Sequence, residues 1–429
     1  MPKNILIVTG SDYTPQVYDA FIRTKERGNT LFLLSDGSFE PRAGIFEQHY
    51  TYDLRYTDDV LKYMRKQPVH FDAVAIKTSE WLTPLVALLA KEYGCLGNDP
   101  LTAFCCRSKY HMRQRLEAGG IPIPRYQLCK SFTELKQAIT DIGLPCVAKP
   151  VGGNASYGTF LIRSETDLDA LEHQYTASIA HLEQKAVSDD IFAFSDEELD
   201  LLGVEERIDM VHDYLIEEFM EGPEISVDAL VQKGMITIVG MEEVGLPSPP
   251  YFTIGRCFMP FLCDEDTMRS IEKITEETIK AMKITDSPIH MELILTDTGP
   301  KVVEIACRIG GDNLHDSIFQ TTGYNMMEEA IMISLGEPRN YKIKTLCHTA
   351  MEFVRPTCDG VITSIDIPSP LRENPNITEL EFGSKVGDHV APPPKSFDSM
   401  GYINARGNTR EEAQAHLDKA LADITITIS

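Results

Sequence analysis

Positive charge is what this chain is short of. Against 65 Asp+Glu it sets 40 Lys+Arg, leaving a formal net charge of −25 over 429 residues and a pI near 4.8. A surface of that sign repels nucleic acid and anionic membrane, so neither is an expected partner, and any polyphosphate has to be held by a local basic pocket. Long apolar runs are missing too: nothing approaches the ~18 residues of a membrane-spanning helix. The opening MPKNILIVTG has one lysine and then a brief apolar run, too short for a signal-peptide core, and reads as a buried strand. The ten cysteines include no CxxC pair and no Cys/His metal spacing, so they are expected to be reduced thiols in a cytoplasmic protein. The segment after the first strand, Gly10-Ser11-Asp12-Tyr13-Thr14-Pro15, is not GxGxxG, which argues against a dinucleotide site there. What is present, 43% hydrophobic and 24% charged residues, is ordinary globular composition, and the length suggests about two to four domains.

The first hundred residues alternate strand and helix. Apolar runs at Ile5–Val8, Thr30–Leu34 and Asp72–Ile76 read as strands, and Val17–Arg27 and Leu82–Tyr93 have helical spacing with Gly28 and Gly94 as stops. That rhythm implies a parallel, doubly wound sheet. From Ser108 the texture changes. Lys109–Ala118 reads as a helix, Ile121-Pro122-Ile123-Pro124 as an extended linker, and Ser131–Ile142 as a capped helix with Glu134 close behind its start. A strand follows at Pro145–Lys149. Between Val187 and Glu206 there are eight acidic residues and no Lys or Arg, which suits a solvated helical insertion. Strands resume at Tyr214–Phe219, Glu224–Val231 and Met235–Gly240, and a further pair, Ile289–Leu295 and Lys301–Ala306, follows the helix Thr267–Met282. From His348 onward the pattern is strand-rich α+β, closing on the helix Thr409–Ala422 and the strand Ile424–Ile428.

Four features carry chemistry. In Ala148-Lys149-Pro150-Val151-Gly152-Gly153-Asn154-Ala155-Ser156-Tyr157-Gly158 a strand delivers a lysine and then a glycine-rich loop. Such a loop brings backbone N–H groups to an anion, but the lysine precedes the glycines, so this is not the GxxxxGK[ST] spacing; a structural hairpin fits the residues equally well. Lys109, at a helix start, is a second candidate cation. Glu217-Glu218-Phe219-Met220-Glu221-Gly222-Pro223-Glu224 joins two strands and offers backbone groups to a base edge and a carboxylate to ribose hydroxyls; an acidic surface turn is the alternative. Finally, Glu292 and Glu304 stand on adjacent antiparallel strands where they can converge on a hard cation, with Arg308 on the Glu304 face by the period of two; a cross-strand ion-pair ladder is the plainer reading. His290 on its strand reads as structural.

In this order the four features resemble the ATP-grasp superfamily, through most of the chain. Cys106-Arg107-Ser108-Lys109 through Arg113, Leu116 and Gly120-Ile121-Pro122-Ile123-Pro124 resembles its first-lysine helix and linker, and Gly401-Tyr402-Ile403-Asn404-Ala405-Arg406-Gly407 with Glu411-Glu412-Ala413 its closing domain. The resemblance implies a pre-ATP-grasp α/β domain over 1–105, an ATP-grasp domain over 106–345 with a lid at about 126–216, and a C-terminal α+β domain over 346–429. It implies ATP and Mg2+ (or Mn2+) as cofactors. Lys109 and Lys149 would hold phosphates under a loop including Gly152, Gly153, Ser156 and Gly158. Glu217, Glu218, Phe219 and Met220 would line the adenine pocket, Glu224 would meet the ribose, and Glu292 and Glu304 would bind the metal. One departure is Ala306, where the family often has asparagine; alanine cannot ligate a metal.

Within the superfamily the chain looks most like L-amino-acid α-ligases of the bacilysin type. Thr78-Ser79-Glu80, the proline- and aromatic-rich Pro249-Pro250-Tyr251-Phe252-Thr253-Ile254-Gly255-Arg256, and Arg308-Ile309-Gly310-Gly311 carry that likeness, although those ligases often have a glutamate near Ile254. It implies Glu80, Arg308 and Gly311 on the substrate side, with Arg308 and Lys149 serving catalysis; Asp312, which follows two glycines beside Arg308, is placed by its position to meet a substrate ammonium. The expected activity is ATP-dependent carboxylate–amine ligation through an acylphosphate, on small-molecule carboxylate and amine substrates, in a possible homodimer. The alternatives are a carboxylase- or purine-pathway-type enzyme activating bicarbonate or formate, and an inactive nucleotide-binding protein, which Ala306 makes thinkable.

Overall fold

The computed structural model describes residues 2–11, 13–153, 156, 158–188, 194–245, 252, 254–393, 395–396 and 398–429. Four short strands, β1 (Asn4–Val8), β2 (Thr30–Ser35), β3 (Gln48–Thr51) and β4 (Ala73–Ile76), form an all-parallel sheet in the order β3-β2-β1-β4. Ile5, Leu6, Ile7 and Val8 are all fully buried, because helices cover both faces. Ile5 and Ile7 pack toward helices Pro15–Glu26 and Met326–Ser334, and Leu6 and Val8 toward Thr57–Met64 and Thr83–Tyr93. This is the doubly wound unit expected, with one covering helix borrowed from far along the chain. Arg23 and Arg27 both bind Glu328 on it.

A second, antiparallel sheet is built from β5 (Tyr126–Cys129), β6 (Cys146–Pro150), β7 (Phe160–Ile162) and β8 (Tyr214–Glu218), in the order β5-β8-β6-β7. The helix Phe132–Ile142 packs on it, and Ser131 caps that helix by accepting from the Glu134 N–H. The acidic stretch contains the helices Glu165–Ser188 and Asp196–Leu202, the latter opened by a Ser195/Glu198 capping box.

The remaining strands are β9 (Glu224–Gln232), β10 (Met235–Val244), β11 (Arg256–Met259), β12 (Ser287–Thr296), β13 (Gly299–Ala306), β14 (His348–Val354), β15 (Gly360–Asp366), β16 (Ile377–Phe382), β17 (His389–Val390), β18 (Gly401–Gly407) and β19 (Thr425–Ile428). Eight of them make one sheet, β13-β12-β9-β10-β11-β14-β18-β16, and β17-β15-β19 form a small sheet. The large sheet runs without a break past residue 345, since β11 pairs with β14 in register Arg256↔Glu352 through Met259↔Thr349. Among the described residues no helix is long and apolar enough to cross a membrane.

Candidate active site

Strand register aligns the acidic side chains. Across the large sheet Glu242 pairs with Ser226, Ser226 with Glu292 and Glu292 with Glu304; one row further, Asp228 pairs with His290 and His290 with Ala306. Period two keeps Glu224, Ser226 and Asp228 of β9 on the same face. Glu224, Glu292 and Glu304 therefore crowd one wall. Burial, then Glu292 and Glu304, push the Glu224 carboxyl up to about 8. Glu304 goes the other way: burial opposes its charge, but Lys109, Lys149 and Arg308 hold it down at about 2. A bulge between β12 and β13 skips Val303, whose carbonyl accepts from Arg113 Nη2 at 2.7 Å.

Two lysines face this wall. Lys109 starts the helix Lys109–Ala118, which Ser108 caps. Its Nζ lies 3.2 Å from Glu304 and donates to the Gly153 carbonyl at 2.7 Å. Lys149, at the end of β6, meets Glu217 at 2.6 Å. Glu217 shares its carboxylate with Arg113, at 2.7 and 3.2 Å. Burial withdraws the Lys149 ammonium from water, Glu217 offsets only part of that, and Arg113 and Lys109 repel it, leaving the group near 8. Glu217 stays ionised despite burial because two cations flank it. Its carboxylate thus serves the lysine rather than a base.

At the other end Arg308 donates from Nη2 to Glu80 at 2.7 Å, and from Nη1 to the Ile309 carbonyl at 3.0 Å. β13 ends at Ala306, so Arg308 stands beyond the strand yet reaches the same cavity. Asp312 follows two glycines, with φ +52° and Asn313 next to it at +56°.

These groups line one cavity of about 770 Å³. Of the sequence-predicted residues, Glu80, Lys109, Lys149, Gly153, Ser156, Glu217, Glu218, Phe219, Met220, Glu224, Glu292, Glu304, Arg308, Gly311 and Asp312 lie on its wall. Val147, Leu161, Phe219, Met220 and Ile294 give it an apolar slot. Ser156 donates its hydroxyl to the Phe252 carbonyl at 2.8 Å, tying the glycine loop to the aromatic-rich segment. Gly152 and Gly158 are not on the wall. A Cβ on Gly152 would stand 2.4 Å from the Met210 carbonyl oxygen, and one on Gly158 would stand 2.2 Å from Ser178 Oγ, so both glycines serve packing. Asn154, Ala155, Tyr157, residues 249–251 and Thr253 lie outside the described residues.

Comparison with known proteins meets the same residues. Residues 142–316 match the ATP-grasp domain family, and residues 352–429 match "L-amino acid ligase C-terminal domain 2". The middle of the chain is thus similar to an ATP-grasp domain. The chain is 24% identical over 321 residues to an L-arginine-specific L-amino acid ligase of Bacillus subtilis, covering 75% of this chain and 71% of that one. It is 20% identical over 417 residues to the alanine–anticapsin ligase of the same species, covering 88% and 82%. The crystal structure of an L-amino acid ligase from Bacillus licheniformis superposes with a TM-score of 0.78 at 19% identity, over 100% of this chain and 99% of that one.

The acidic wall with its two lysines fits a metal–nucleotide rather than a bare metal. Among the described residues no three His, Cys, Asp or Glu side chains are placed to hold a metal by themselves. Two directly opposed glutamates beside two lysines suit a magnesium ion whose remaining ligands are phosphate oxygens and water. Sequence reading missed several members of the wall, His290, Trp81 and Arg355 among them. His290 was read as structural, but its Nδ1 lies 3.2 Å from Asp228; burial opposes its charge, yet Asp228 and then Glu292 raise it to about 10, so it is an imidazolium facing the cavity. Trp81 and Arg355 also line it. The cross-strand neighbour of His290 is Ala306, where an asparagine was expected.

Proposed function

We propose that this protein is an ATP-dependent ligase that joins the carboxylate of one amino acid to the amine of another, releasing ADP and phosphate. The observation that carries the reading is the adjacency, in one cavity, of the opposed pair Glu292/Glu304 and the arginine Arg308 braced by Glu80. A carboxylate is a poor electrophile; moving the γ-phosphoryl group onto it makes an acylphosphate with a good leaving group. Arg308 presents a planar fork that suits the substrate carboxylate bidentately. Lys109 and Lys149 would receive the phosphates, and the slot at Val147, Leu161, Phe219 and Met220 the adenine. Glu292 and Glu304 would hold magnesium, which supplies charge neutralisation on the transferring group. Water would destroy the acylphosphate, and the contact between Ser156 and Phe252 supports a loop that shuts over the site.

The direct test is isotopic. When a carboxylate oxygen attacks phosphorus, that oxygen leaves in inorganic phosphate once the amine has displaced it. Amino acids labelled with oxygen-18 in the carboxylate should yield labelled phosphate and ADP in step with peptide. AMP and pyrophosphate, or unlabelled phosphate during productive ligation, would show the acylphosphate route to be wrong.

A further inference from the structure

The cavity contains a second guanidinium and an acid that the nucleotide and the activated carboxylate do not use. Arg355, just past β14, lies inside the matched C-terminal domain. Its Nη2 donates to the Ile254 carbonyl at 2.9 Å and its guanidinium stands 5.7 Å from the Phe353 ring centroid. Both anchors line the cavity with it, so the guanidinium is held from two sides. Asp312 lines the cavity from two successive left-handed residues, a costly backbone conformation. Among the described residues its carboxylate accepts no hydrogen bond. Burial raises the Asp312 carboxyl above its ordinary range, and the charged groups around it, Arg308, His290 on β12 and Arg355, offset only part of that.

We propose that Asp312 and Arg355 form the acceptor subsite, Arg355 taking the α-carboxylate and Asp312 the α-ammonium of the attacking amino acid. The acceptor is then an α-amino acid with a free carboxylate, not a simple amine or an amino acid amide. This rests on the ligase reading above and divides the two guanidiniums between the two substrates: Arg308 for the carboxylate that is activated, Arg355 for the one that is not. The step balances. Asp312 takes one proton from the ammonium. The neutral nitrogen attacks the acylphosphate carbonyl, the N–C bond forms, the C–O bond to phosphate breaks with its electron pair leaving on phosphate, and the second nitrogen proton is lost as the amide forms.

The experiment compares acceptors on the whole protein. Wild-type enzyme receives ATP, magnesium and a pool of the twenty L-amino acids as donors. Hydroxylamine traps activated carboxylate as hydroxamate in one arm; a pool of L-amino acid amides, which have no carboxylate to activate, is the added acceptor in another. Trp81, the chain's single tryptophan, lines the cavity and reports binding by fluorescence. The expected result is ATP-dependent hydroxamate and dipeptide, with peptide amides at least about tenfold scarcer, the scale of one charge-assisted hydrogen bond. Arg355→Met should erase that preference, and Arg355→Lys should restore part of it. Asp312→Asn should lower dipeptide formation at least about tenfold more than hydroxamate formation, by a factor that shrinks as pH rises and acceptor amines lose their own protons. Hydroxamate without an acid-over-amide preference, or a preference that survives Arg355→Met, overturns the clamp and leaves the ligase standing. No ATP-dependent hydroxamate overturns the ligase reading itself; the clamp then falls as well unless Trp81 fluorescence still ranks amino acids above their amides and Arg355→Met abolishes that ranking.

Discussion

The two ends of the cavity are built differently. At the end proposed for the phosphates the acids and Lys149 stand on strands and Lys109 starts a helix, and strand neighbours are fixed by register: Glu292 faces Glu304, and β6 lies beside β8 so that Lys149 meets Glu217. At the substrate end the wall is assembled from segments far apart in sequence. Gly10 and Ser11, Thr78 through Trp81, Gly311 and Asp312, Phe353 and Arg355, and Asp398 and Ser399 all contribute. A sheet holds charged groups to a fraction of an ångström through many shared hydrogen bonds, which phosphoryl transfer demands. Loops can change their side chains without disturbing the sheet, which suits a choice of substrate.

The sharpest way to break this contrast is at the carboxylates proposed for the metal. Glu304→Ala is expected to cost about a thousandfold or more in ADP release, because Ala306 offers no neighbouring ligand and Lys109 loses its partner at the same time. Glu292→Ala should be damaging but partly rescued by raised magnesium. Near-normal turnover of Glu304→Ala at low magnesium would remove the sheet wall from the chemistry.

The next effect, about a hundredfold, lies where the two ends meet. Arg308→Lys keeps a charge beside Glu80 but loses the fork. It should fold and bind ATP with wild-type affinity while ligation collapses. Calorimetry showing parallel loss of ATP binding would place Arg308 with the nucleotide instead.

The same contrast decides what the sequence revealed. A lysine leading into glycines, a lysine at a helix start and glutamates on adjacent strands are local patterns, so Lys149, Lys109, Glu292 and Glu304 could be picked from the sequence as residues of one cavity. The pairing of the Glu217 carboxylate with Arg113 was not foreseen, because that tie spans 104 residues and no spacing announces it. Gly152 and Gly158 looked like anion-cradling residues; the atoms that exclude a Cβ there, from Met210 and Ser178, come from elsewhere in the chain. Arg355 and Trp81 have no motif around them and become site residues only through folding. The helix Met326–Ser334 escaped for another reason. Each of its residues is buried, so it shows no apolar stripe of helical period.

A smaller effect tests the phosphate end alone. Lys149→Met removes a charged hydrogen bond to phosphate, about 1.5–3 kcal/mol, and should weaken ATP binding about tenfold or more, with turnover falling alongside. Unchanged affinity for ATP and ADP by calorimetry, with turnover intact, would make Lys149 a support for Glu217 only.

The smallest expected signal is a fraction of a proton. Burial leaves Lys149 titrating near 8, so at pH 8 about half of the free protein carries it neutral. Bound phosphates favour the ammonium and raise its pKa. Nucleotide binding at pH 8 should therefore take up about half a proton, and affinity should fall as pH rises through 8 toward 9. The uptake is read from the dependence of binding enthalpy on buffer ionisation enthalpy, using ADP without metal so that the carboxylates near Glu304 stay out of the balance. Lys149→Met abolishes the uptake if this lysine is its source. Asp312→Asn, at the opposite end of the cavity, should leave it in place. An uptake that follows Asp312 rather than Lys149 would mean that the two ends are electrically one site, and that the division of labour between sheet and loops does not hold.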